Sequence, residues 1–351
     1  MSRLLQFVPT LEPGAVGAHT LELARLCDDM GVEHEVYAEH VREPWSDKGR
    51  DYRSYRGRPG DVLLYHVAIG SNVADFVRER TEALVVDHHN ITPASFFAAW
   101  EPAVVHGISW GRKQLADLAS RTTLGVADSG FNQRELDALG YGSTATAPIL
   151  LDTSTFDRAV DPSAVERLRR PAPVWLFVGR VAPHKAQHDV IKAFWAFRST
   201  YSPDAVLRIV GGSSSDRYVV ALRELIAALQ LEDAVELCGT VSDAELAAHY
   251  EAADVFVCLS DHEGFCVPLL EAMHHGVPIV AYAATAVPET LGAGGVLLPG
   301  KGAAVVAAAV QRVLTDDALR DAVVAAGRRR LEDFSLDATR RRWREVLEPL
   351  L

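Results

Sequence analysis

The 351-residue chain contains few cysteines and no excess of basic residues. Its 4 cysteines, Cys27, Cys238, Cys258 and Cys266, stand singly in apolar runs, without the C-x-x-C spacing typical of zinc and redox sites. We interpret them as small buried side chains of a protein in a reducing compartment. The formal net charge of -12 argues against the basic surface that binds nucleic acid regardless of sequence, so no nucleic-acid partner is expected.

Four further patterns are missing from the sequence. No window approaches the ~20 apolar residues of a transmembrane helix, and no signal peptide precedes the first apolar run, Leu4–Val8, so we expect a cytoplasmic protein. No Asp-x-Asp pair is present, which removes one common metal–diphosphate clamp, and no metal or other cofactor is expected. The segment Pro13–His19 lacks the G-x-G-x-x-G pattern of dinucleotide-binding enzymes such as dehydrogenases, and we interpret it as a flexible loop that closes on an acceptor or a phosphate.

Apolar strand patterns alternate with helical patterns twice along the chain. This alternation predicts a doubly wound α/β domain over residues 1–155 and a second one over residues 170–334, with Trp175, Trp195 and Phe197 in its core. Residues 335–351 are predicted to form an arginine-rich amphipathic helix, interpreted as a solvated face, with weak peripheral contact to a membrane as the alternative. Two such domains facing each other would leave a cleft between the C-terminal ends of their sheets.

The segment Glu263–Glu271 carries two carboxylates between a predicted strand and a predicted helix. Pro268 fits the first turn of that helix, which places Glu263 in the preceding loop and Glu271 on the helix. A helix that begins at a strand end presents free N–H groups to an anion. A glycosidase would use two carboxylates as acid and nucleophile, but a carboxylate inside a helix beside a phosphate site suits a ribose diol better. The segment therefore indicates a ligand with phosphates and hydroxyls, such as a nucleotide sugar.

A second strand end, Phe177–Lys185, supplies positive charge. Gly179 allows a close turn, and Arg180 and Lys185 then project over the same sheet edge as Glu263. Two fixed cations can neutralise a departing diphosphate. The alternative is that both residues are ordinary surface charges at a helix start.

Polar side chains also end several strands of the first domain, and either a structural or a substrate-contacting role is open for them. Histidines there could hydrogen-bond the donor sugar or organise an acceptor hydroxyl. The candidates on the acceptor side are His19, His66, His88, Asn90 and Ser129, and His89 is the catalytic candidate.

These motifs resemble the retaining glycosyltransferases of family 4, which have the GT-B fold of two Rossmann-like domains. The resemblance covers the second domain through Phe177–Lys185, Gly239–Leu246, Glu263–Glu271 and Gly276–Pro278. In the first domain, His89-Asn-Ile-Thr-Pro93 and Ser129–Leu136 are similar to a bacterial subset that glycosylates surface polysaccharides or secondary metabolites. The chain departs from the family in having Pro148-Ile-Leu where Pro-Asn-Gly is common.

The resemblance implies that residues 1–155 bind the acceptor, that residues 170–334 bind the nucleotide sugar, and that the C-terminal helix, residues 335–351, crosses back to pack on the first domain. It also implies a role for each matching residue. Arg180 and Lys185 would hold the donor diphosphate, and Glu271 would bind the ribose hydroxyls. Glu263 would contact the donor sugar, and His89 would lie near it. Backbone groups would complete the donor site, at Gly14, Gly17, Gly179, Gly239, Thr240, Val241, Gly264, Phe265, Cys266 and Val267. The expected activity is retaining, metal-independent transfer of a hexose from a UDP- or GDP-sugar to a hydroxyl of a saccharide, lipid-linked saccharide or natural product. The alternatives are an epimerase or phosphorylase of the same fold, or a nucleotide-sugar binding protein without catalysis.

Overall fold

The computed structural model describes residues 2–157 and 160–351. Residues 158 and 159, inside the proline-flanked linker predicted between the domains, lie outside the described part. The chain divides into two compact units. Unit 1 comprises residues 1–95, 102–152 and 334–351, and unit 2 comprises residues 96–101 and 153–333.

Unit 1 is built on a parallel sheet. In its described residues the strands are β1 (Arg3–Leu11), β2 (Glu33–Val41), β3 (Arg50–Asp51), β4 (Val62–Val67), β5 (Ala83–His88), β6 (Leu124–Ala127) and β7 (Thr144–Thr146), in the order β3-β2-β1-β4-β5-β6-β7. The helices between them are α1 (Ala15–Met30), α2 (Asn72–Arg78), α3 (Pro102–Leu118) and α4 (Gly130–Ala138). The strand order reverses between β1 and β4, which is where open α/β sheets bind ligands.

Unit 2 repeats this architecture with a second parallel sheet. Its described strands are β8 (Val174–Val178), β9 (Val206–Val210), β10 (Val235–Gly239), β11 (Val255–Cys258), β12 (Ile279–Tyr282) and β13 (Val296–Leu298), in the order β10-β9-β8-β11-β12-β13. The helices are α5 (Pro162–Leu168), α6 (Gln187–Thr200), α7 (Asp216–Ala228), α8 (Asp243–Glu251), α9 (Val267–His274), α10 (Val287–Leu291), α11 (Ala303–Thr315) and α12 (Asp317–Glu332). Here the order reverses between β8 and β11, the strands that precede the two predicted donor motifs.

The last helix, α13 (Leu336–Leu347), belongs to unit 1. Its Trp343 is fully buried and donates its indole N–H to the carbonyl of Pro148 at 2.9 Å. Trp343 and Leu347 pack with apolar residues of β1, α1 and β4, so the arginine-rich helix contributes its apolar face to the core of this unit. No helix among the described residues has the length and apolar character needed to cross a bilayer.

Two expectations about local structure are wrong. The Pro13–His19 segment is not a flexible loop, because helix α1 begins at Ala15 with Gly14 as its N-cap. Gly17 therefore lies inside a helix, where a Cβ would come within 2.1 Å of the Glu12 carbonyl oxygen, so packing accounts for this glycine. Trp195 is not a core residue: it lies on the outer face of α6 and is 44% exposed.

Candidate functional site

The two predicted donor motifs of unit 2 meet at the C-terminal ends of adjacent strands. Strands β8 and β11 are paired in parallel, and the loops that follow them carry Lys185 and Glu263. The Lys185 ammonium donates to Oε2 of Glu263 at 2.6 Å, although 78 residues separate the two in sequence. Both side chains are largely shielded, with exposed fractions of 22% for Lys185 and 6% for Glu263. This geometry places a fixed cation beside a carboxylate at the switch point of the sheet.

The backbone around Glu263 is fixed by the loop that follows β12. The Glu263 N–H donates to the Thr285 hydroxyl at 2.8 Å, and the Ala286 N–H donates to the Glu263 carbonyl at 3.3 Å. Burial alone would lower the pKa of Lys185, but the carboxylate of Glu263 outweighs it and raises that pKa above its ordinary value. Lys185 therefore stays protonated at neutral pH, as a partner for phosphate must.

His184 precedes Lys185 in the same loop and stays neutral. Burial, with added repulsion from Lys185, lowers the pKa of His184 to about 3. Its ring lies against the short segment 96–101 of unit 2, with the Phe97 ring centroid 5.2 Å away. The positive charge at this strand end thus comes from Lys185 and Arg180. Arg180 is exposed, and no ion pair of its guanidinium occurs within residues 2–157 and 160–351.

Glycines let two strand ends approach each other beside Lys185. Gly179 has φ 149° and Gly211, at the end of β9, has φ 140°. A Cβ at Gly211 would lie 2.1 Å from the Gly179 carbonyl oxygen, so only glycine fits there without movement of the chain. Further along this edge Gly239 has φ 69° and its carbonyl accepts the Gly211 N–H at 2.8 Å. The exposed Thr240 and half-buried Val241 follow directly after it.

Helix α9 begins within the Glu263 motif. Cys266 is its N-cap in the left-handed conformation with φ 75°, and Pro268 lies in the first turn, as predicted. Gly264, Phe265 and Val267 thus surround a helix N-terminus, whose N–H groups favour an anion. Glu271, one turn into the helix, accepts a 2.8 Å hydrogen bond from the hydroxyl of the buried Tyr250.

In unit 1 the predicted histidines form a buried network around Asp87. Oδ2 of Asp87 lies 3.0 Å from Nε2 of His19, 3.1 Å from Nδ1 of His66 and 3.1 Å from Nε2 of His89. The other nitrogen of His89 lies 3.0 Å from Oδ2 of Asp128. Three histidines from α1, β4 and the loop after β5 are thus brought together by one carboxylate.

Burial and the neighbouring carboxylates shift the pKa values of two histidines in this network. Burial would lower the pKa of His89, but the carboxylates of Asp87 and Asp128 outweigh it and hold that pKa well above its ordinary value. Burial lowers the pKa of His66 to about 4, so His66 is neutral, and its Nδ1 lies 3.0 Å from Nε2 of His89. The His89 side chain is only 2% exposed, and both of its nitrogens contact partners inside unit 1.

Two clusters among the described residues have the composition of metal ligands, and in each of them at least one ligand atom already has a hydrogen-bond or ion-pair partner. The histidine–Asp87 cluster has its donor atoms within 4.8 Å of one another, but Nδ1 of His19 accepts the Leu150 N–H at 2.9 Å, so the proton of this ring is on Nε2, facing Asp87. In the cluster of Cys258, Glu263 and Cys266, the Lys185 ammonium contacts the carboxylate.

The other predicted residues of unit 1 have local structural partners. Nε2 of His88 lies 2.8 Å from Glu135, which also pairs with Arg112. Asn90 has φ 74° and donates to Asn132 at 2.8 Å. Ser129 is the N-cap of α4, as its hydroxyl accepts the Asn132 N–H at 3.2 Å.

The sequence interpretation missed several polar residues that organise the site. These are Asp87, Tyr250, Asp261, Thr285 and Lys301. Asp87 had a usable signal, because it is a buried carboxylate at the end of an apolar strand. For Thr285 and Lys301 no local pattern exists, since their partners lie 22 and 40 residues away.

Comparison with known proteins identifies the family. Residues 163–330 match the model of the glycosyl transferases group 1. A D-inositol 3-phosphate glycosyltransferase of Thermobispora bispora is 30% identical, over 96% of this chain and 90% of the relative. One of the same name from Kineococcus radiotolerans is 36% identical over 65% of this chain, and a GDP-mannose-dependent alpha-(1-6)-phosphatidylinositol monomannoside mannosyltransferase of Mycolicibacterium smegmatis is 31% identical over 64%. The chain spans 57% and 62% of the length of these two relatives.

Solved structures share the fold along the whole chain. Sucrose-phosphate synthase from Thermosynechococcus elongatus has a TM-score of 0.78 at 18% identity, covering 99% of both chains. Anabaena HepE, in complex with UDP and glucose, has a TM-score of 0.77 at 19% identity, covering 99% of this chain and 100% of its own. The predicted GT-B class, with two Rossmann-like domains built on parallel sheets, is confirmed. The chain is a member of the group 1 glycosyltransferases.

Proposed function

We propose that the protein transfers a hexose from a UDP- or GDP-hexose to a hydroxyl acceptor, with retention of the anomeric configuration and without a metal ion. The observation that carries the proposal is the Lys185–Glu263 pair at 2.6 Å, at the switch point of unit 2 and beside the N-terminus of α9. Family membership supports the reaction class. The names of the relatives and structures support a nucleotide-sugar donor, because one relative uses GDP-mannose and HepE contains UDP.

Different residues would bind the diphosphate, the ribose, the sugar and the base of the donor. Lys185 and Arg180 contact the diphosphate, and backbone N–H groups at the start of α9, in the segment Gly264–Val267, add hydrogen bonds. Glu271 accepts hydrogen bonds from the ribose hydroxyls, with Tyr250 holding its carboxylate in place. Glu263 contacts the sugar, and the backbone of residues 239–241 contacts the base.

The chemical step is a front-face displacement. The bond between the anomeric carbon and the phosphate oxygen breaks, and the acceptor oxygen bonds to that carbon on the same face. The leaving phosphate takes the proton of the acceptor hydroxyl. Lys185 and Arg180 stabilise the negative charge that develops on the phosphate, the function a metal ion serves in other transferases. No covalent intermediate with the protein is required.

The acceptor is proposed to be a saccharide, a lipid-linked saccharide or a natural product, in surface polysaccharide or secondary-metabolite glycosylation. The names of the relatives favour a polyol or lipid-linked hydroxyl, since they refer to D-inositol 3-phosphate and to phosphatidylinositol monomannoside. His19, His66, His88, Asn90 and Ser129 are the acceptor-side candidates in unit 1, and His89 is the candidate near the donor sugar.

A two-stage experiment tests the proposal. Thermal shift with UDP- and GDP-sugars and the free nucleotides first identifies the donor, because a ligand of the native state raises the melting temperature. NMR then follows the anomeric signal during transfer to an acceptor panel, with and without EDTA. We expect α-configured product from an α-configured donor, at a rate unchanged by chelation. Epimerised donor without acceptor, turnover only with inorganic phosphate, or tight binding without any turnover would each contradict the proposal in favour of an epimerase, a phosphorylase or a binding protein.

A further inference from the structure

Lys301 lies where a local rule disfavours a cation. It directly precedes Gly302, the N-cap of helix α11, and no acidic residue occupies the first turn of that helix. The N-terminus of a helix carries partial positive charge, so an ammonium beside it is unfavourable. Something other than helix formation must stabilise Lys301 at this position.

Two carboxylates, one in the loop after β11 and one in the first turn of α6, hold Lys301 there. Its ammonium lies 2.6 Å from Oδ1 of Asp261 and 2.7 Å from Oδ2 of Asp189. The Lys301 ammonium also lies 5.6 Å from the ring centroid of Tyr282, the last residue of β12, and this distance is within the range of a cation–π contact. The side chain thus extends from the loop after β13 to the loop after β11 and to the first turn of α6. Its exposed fraction is 22%, compared with 17% for Asp189 and 32% for Asp261, so the network is more shielded than an ordinary surface ion pair.

The two carboxylates belong to the segments that carry the proposed donor residues. Asp261 lies two residues before Glu263 in the loop after β11, and Asp189 lies four residues after Lys185 in the first turn of α6. The segments also touch directly, because the Asp261 N–H donates to the carbonyl of His184 at 2.8 Å. Without Lys301, two carboxylates that now share one ammonium would face each other and repel. The expected response is separation of the loops that hold Lys185 and Glu263.

We propose that Lys301 is a positioning residue for sugar transfer: by joining Asp189 to Asp261 it fixes the distance between the Lys185 and Glu263 loops in the geometry that the donor diphosphate and sugar require. This inference rests on the proposed function of that site. Lys301 itself does not contact the reacting atoms. It acts through the two loops, and its removal is expected to affect donor recognition far more than overall folding.

The chain offers a matched control in Lys192. This lysine contacts the same Asp189, at 3.3 Å, but it is 50% exposed and has no contact with Asp261 among the described residues. Lys301→Met keeps the apolar stem and removes the charge, Lys301→Arg keeps the charge, and Lys192→Met removes a neighbouring charge without breaking the link. Kinetics with varied donor, affinity for the free nucleoside diphosphate by calorimetry, and melting temperature are measured for each variant.

A loop displacement of about 1 Å costs on the order of 100-fold in rate, so we expect Lys301→Met to lower kcat/KM for the donor by about 10- to 100-fold. The nucleoside diphosphate should also bind less tightly, while KM for the acceptor changes little. Lys301→Arg should recover most of the loss, and Lys192→Met should stay within about twofold of wild type. Asp261→Asn should reproduce part of the defect, and the Lys301→Met/Asp261→Asn pair should be clearly non-additive.

Wild-type donor kinetics in Lys301→Met would overturn the inference. So would an equal defect in Lys192→Met, or a defect that disappears when variants are compared at equal distance below their melting temperatures. If Lys301→Met does not fold, the donor kinetics of Lys301→Arg and Asp261→Asn are compared with those of Lys192→Met instead. If wild type binds a nucleoside diphosphate but transfers no sugar, the proposed function fails and the affinity series still decides whether Lys301 positions the loops. If wild type binds no nucleoside diphosphate, both proposals fail.

Discussion

Lys185 and Glu263 form an ion pair 2.6 Å long between two loops that follow adjacent parallel strands. In a site that binds a diphosphate sugar, this pair has two consequences. The carboxylate keeps the ammonium charged and directed at the strand ends before the donor arrives. When the donor binds, the phosphate can replace Glu263 as the partner of Lys185, and a sugar hydroxyl can replace Lys185 as the partner of Glu263. Neither side chain is then left as an unpaired buried charge.

Substitution of Lys185 by alanine should therefore remove most of the turnover. Loss of one preoriented group that stabilises transition-state charge costs about 100- to 1,000-fold in kcat, and we expect Lys185→Ala to fall in that range. Steady-state kinetics with saturating donor measures the effect. Lys192→Ala, which removes a lysine one helix turn beyond Asp189, serves as the control and should keep near-normal turnover. A Lys185→Ala enzyme within a few-fold of wild type would exclude Lys185 from the chemical step.

The Tyr250–Glu271 hydrogen bond makes a separate prediction about the ribose. Hydrogen bonds to a charged group contribute about 1.5–3 kcal/mol, so Glu271→Gln should weaken nucleoside diphosphate binding by roughly 10- to 100-fold. The variant should also lose the preference for ribose over 2′-deoxyribose, which calorimetry with both nucleotides would show. Glu251→Gln is the control, since Glu251 pairs with His275 on the neighbouring helix end. Unchanged sugar discrimination in Glu271→Gln would assign the carboxylate to the dipole of α9 instead.

The strands were predictable because buried parallel strands are continuous apolar runs. Val174–Val178 and Val206–Val210, which are apolar except for Arg208, form β8 and β9. The start of α1 was not predictable from pattern, because Gly14 and Gly17 suggest a loop, whereas one is an N-cap and the other allows close packing on Glu12. Likewise, nothing in the spacing of Trp195 shows which face of α6 is covered.

The sequence pattern predicted only some of the site residues, for a related reason. Glycine, proline and charge at strand ends mark Glu263 and Lys185, since these residue types have few other uses there. Only the tertiary structure brings the supporting residues together. Lys301 contacts Asp261, which lies 40 residues earlier in the sequence, and Asp87 contacts histidines from three different elements. A single sequence carries no signal for such long-range pairs.

The raised pKa of His89 predicts a pH-dependent effect on stability. Its pKa is held well above the ordinary 6.5 by the carboxylates of Asp87 and Asp128. A group with a raised pKa stabilises the fold fully below its unfolded pKa, and this contribution is lost as the pH rises through the folded pKa. Asp128→Asn should therefore destabilise the protein more at pH 6 than at pH 9. Urea unfolding at both pH values measures the difference. Asp117→Asn, which removes a carboxylate paired with Lys113 and Arg78, should show no such trend.

Gly211 provides the test of the close approach beside Lys185. A Cβ at this position would lie 2.1 Å from the Gly179 carbonyl and would also require φ 140°, so Gly211→Ala must displace the loop that leads to Arg180 and Lys185. Gly140→Ala is the matched control, because Gly140 has φ 85° but open space around its Cβ position. Conformational strain alone costs on the order of 1–3 kcal/mol, and the control should show a loss of this size with normal donor kinetics. Gly211→Ala should lose more stability and, under conditions where it is folded, bind nucleoside diphosphate at least about 10-fold more weakly, because a 1 Å misplacement is costly in such a site. Equal effects of the two substitutions would mean that Gly211 serves only the backbone conformation and that its contact with Gly179 does not shape the donor site.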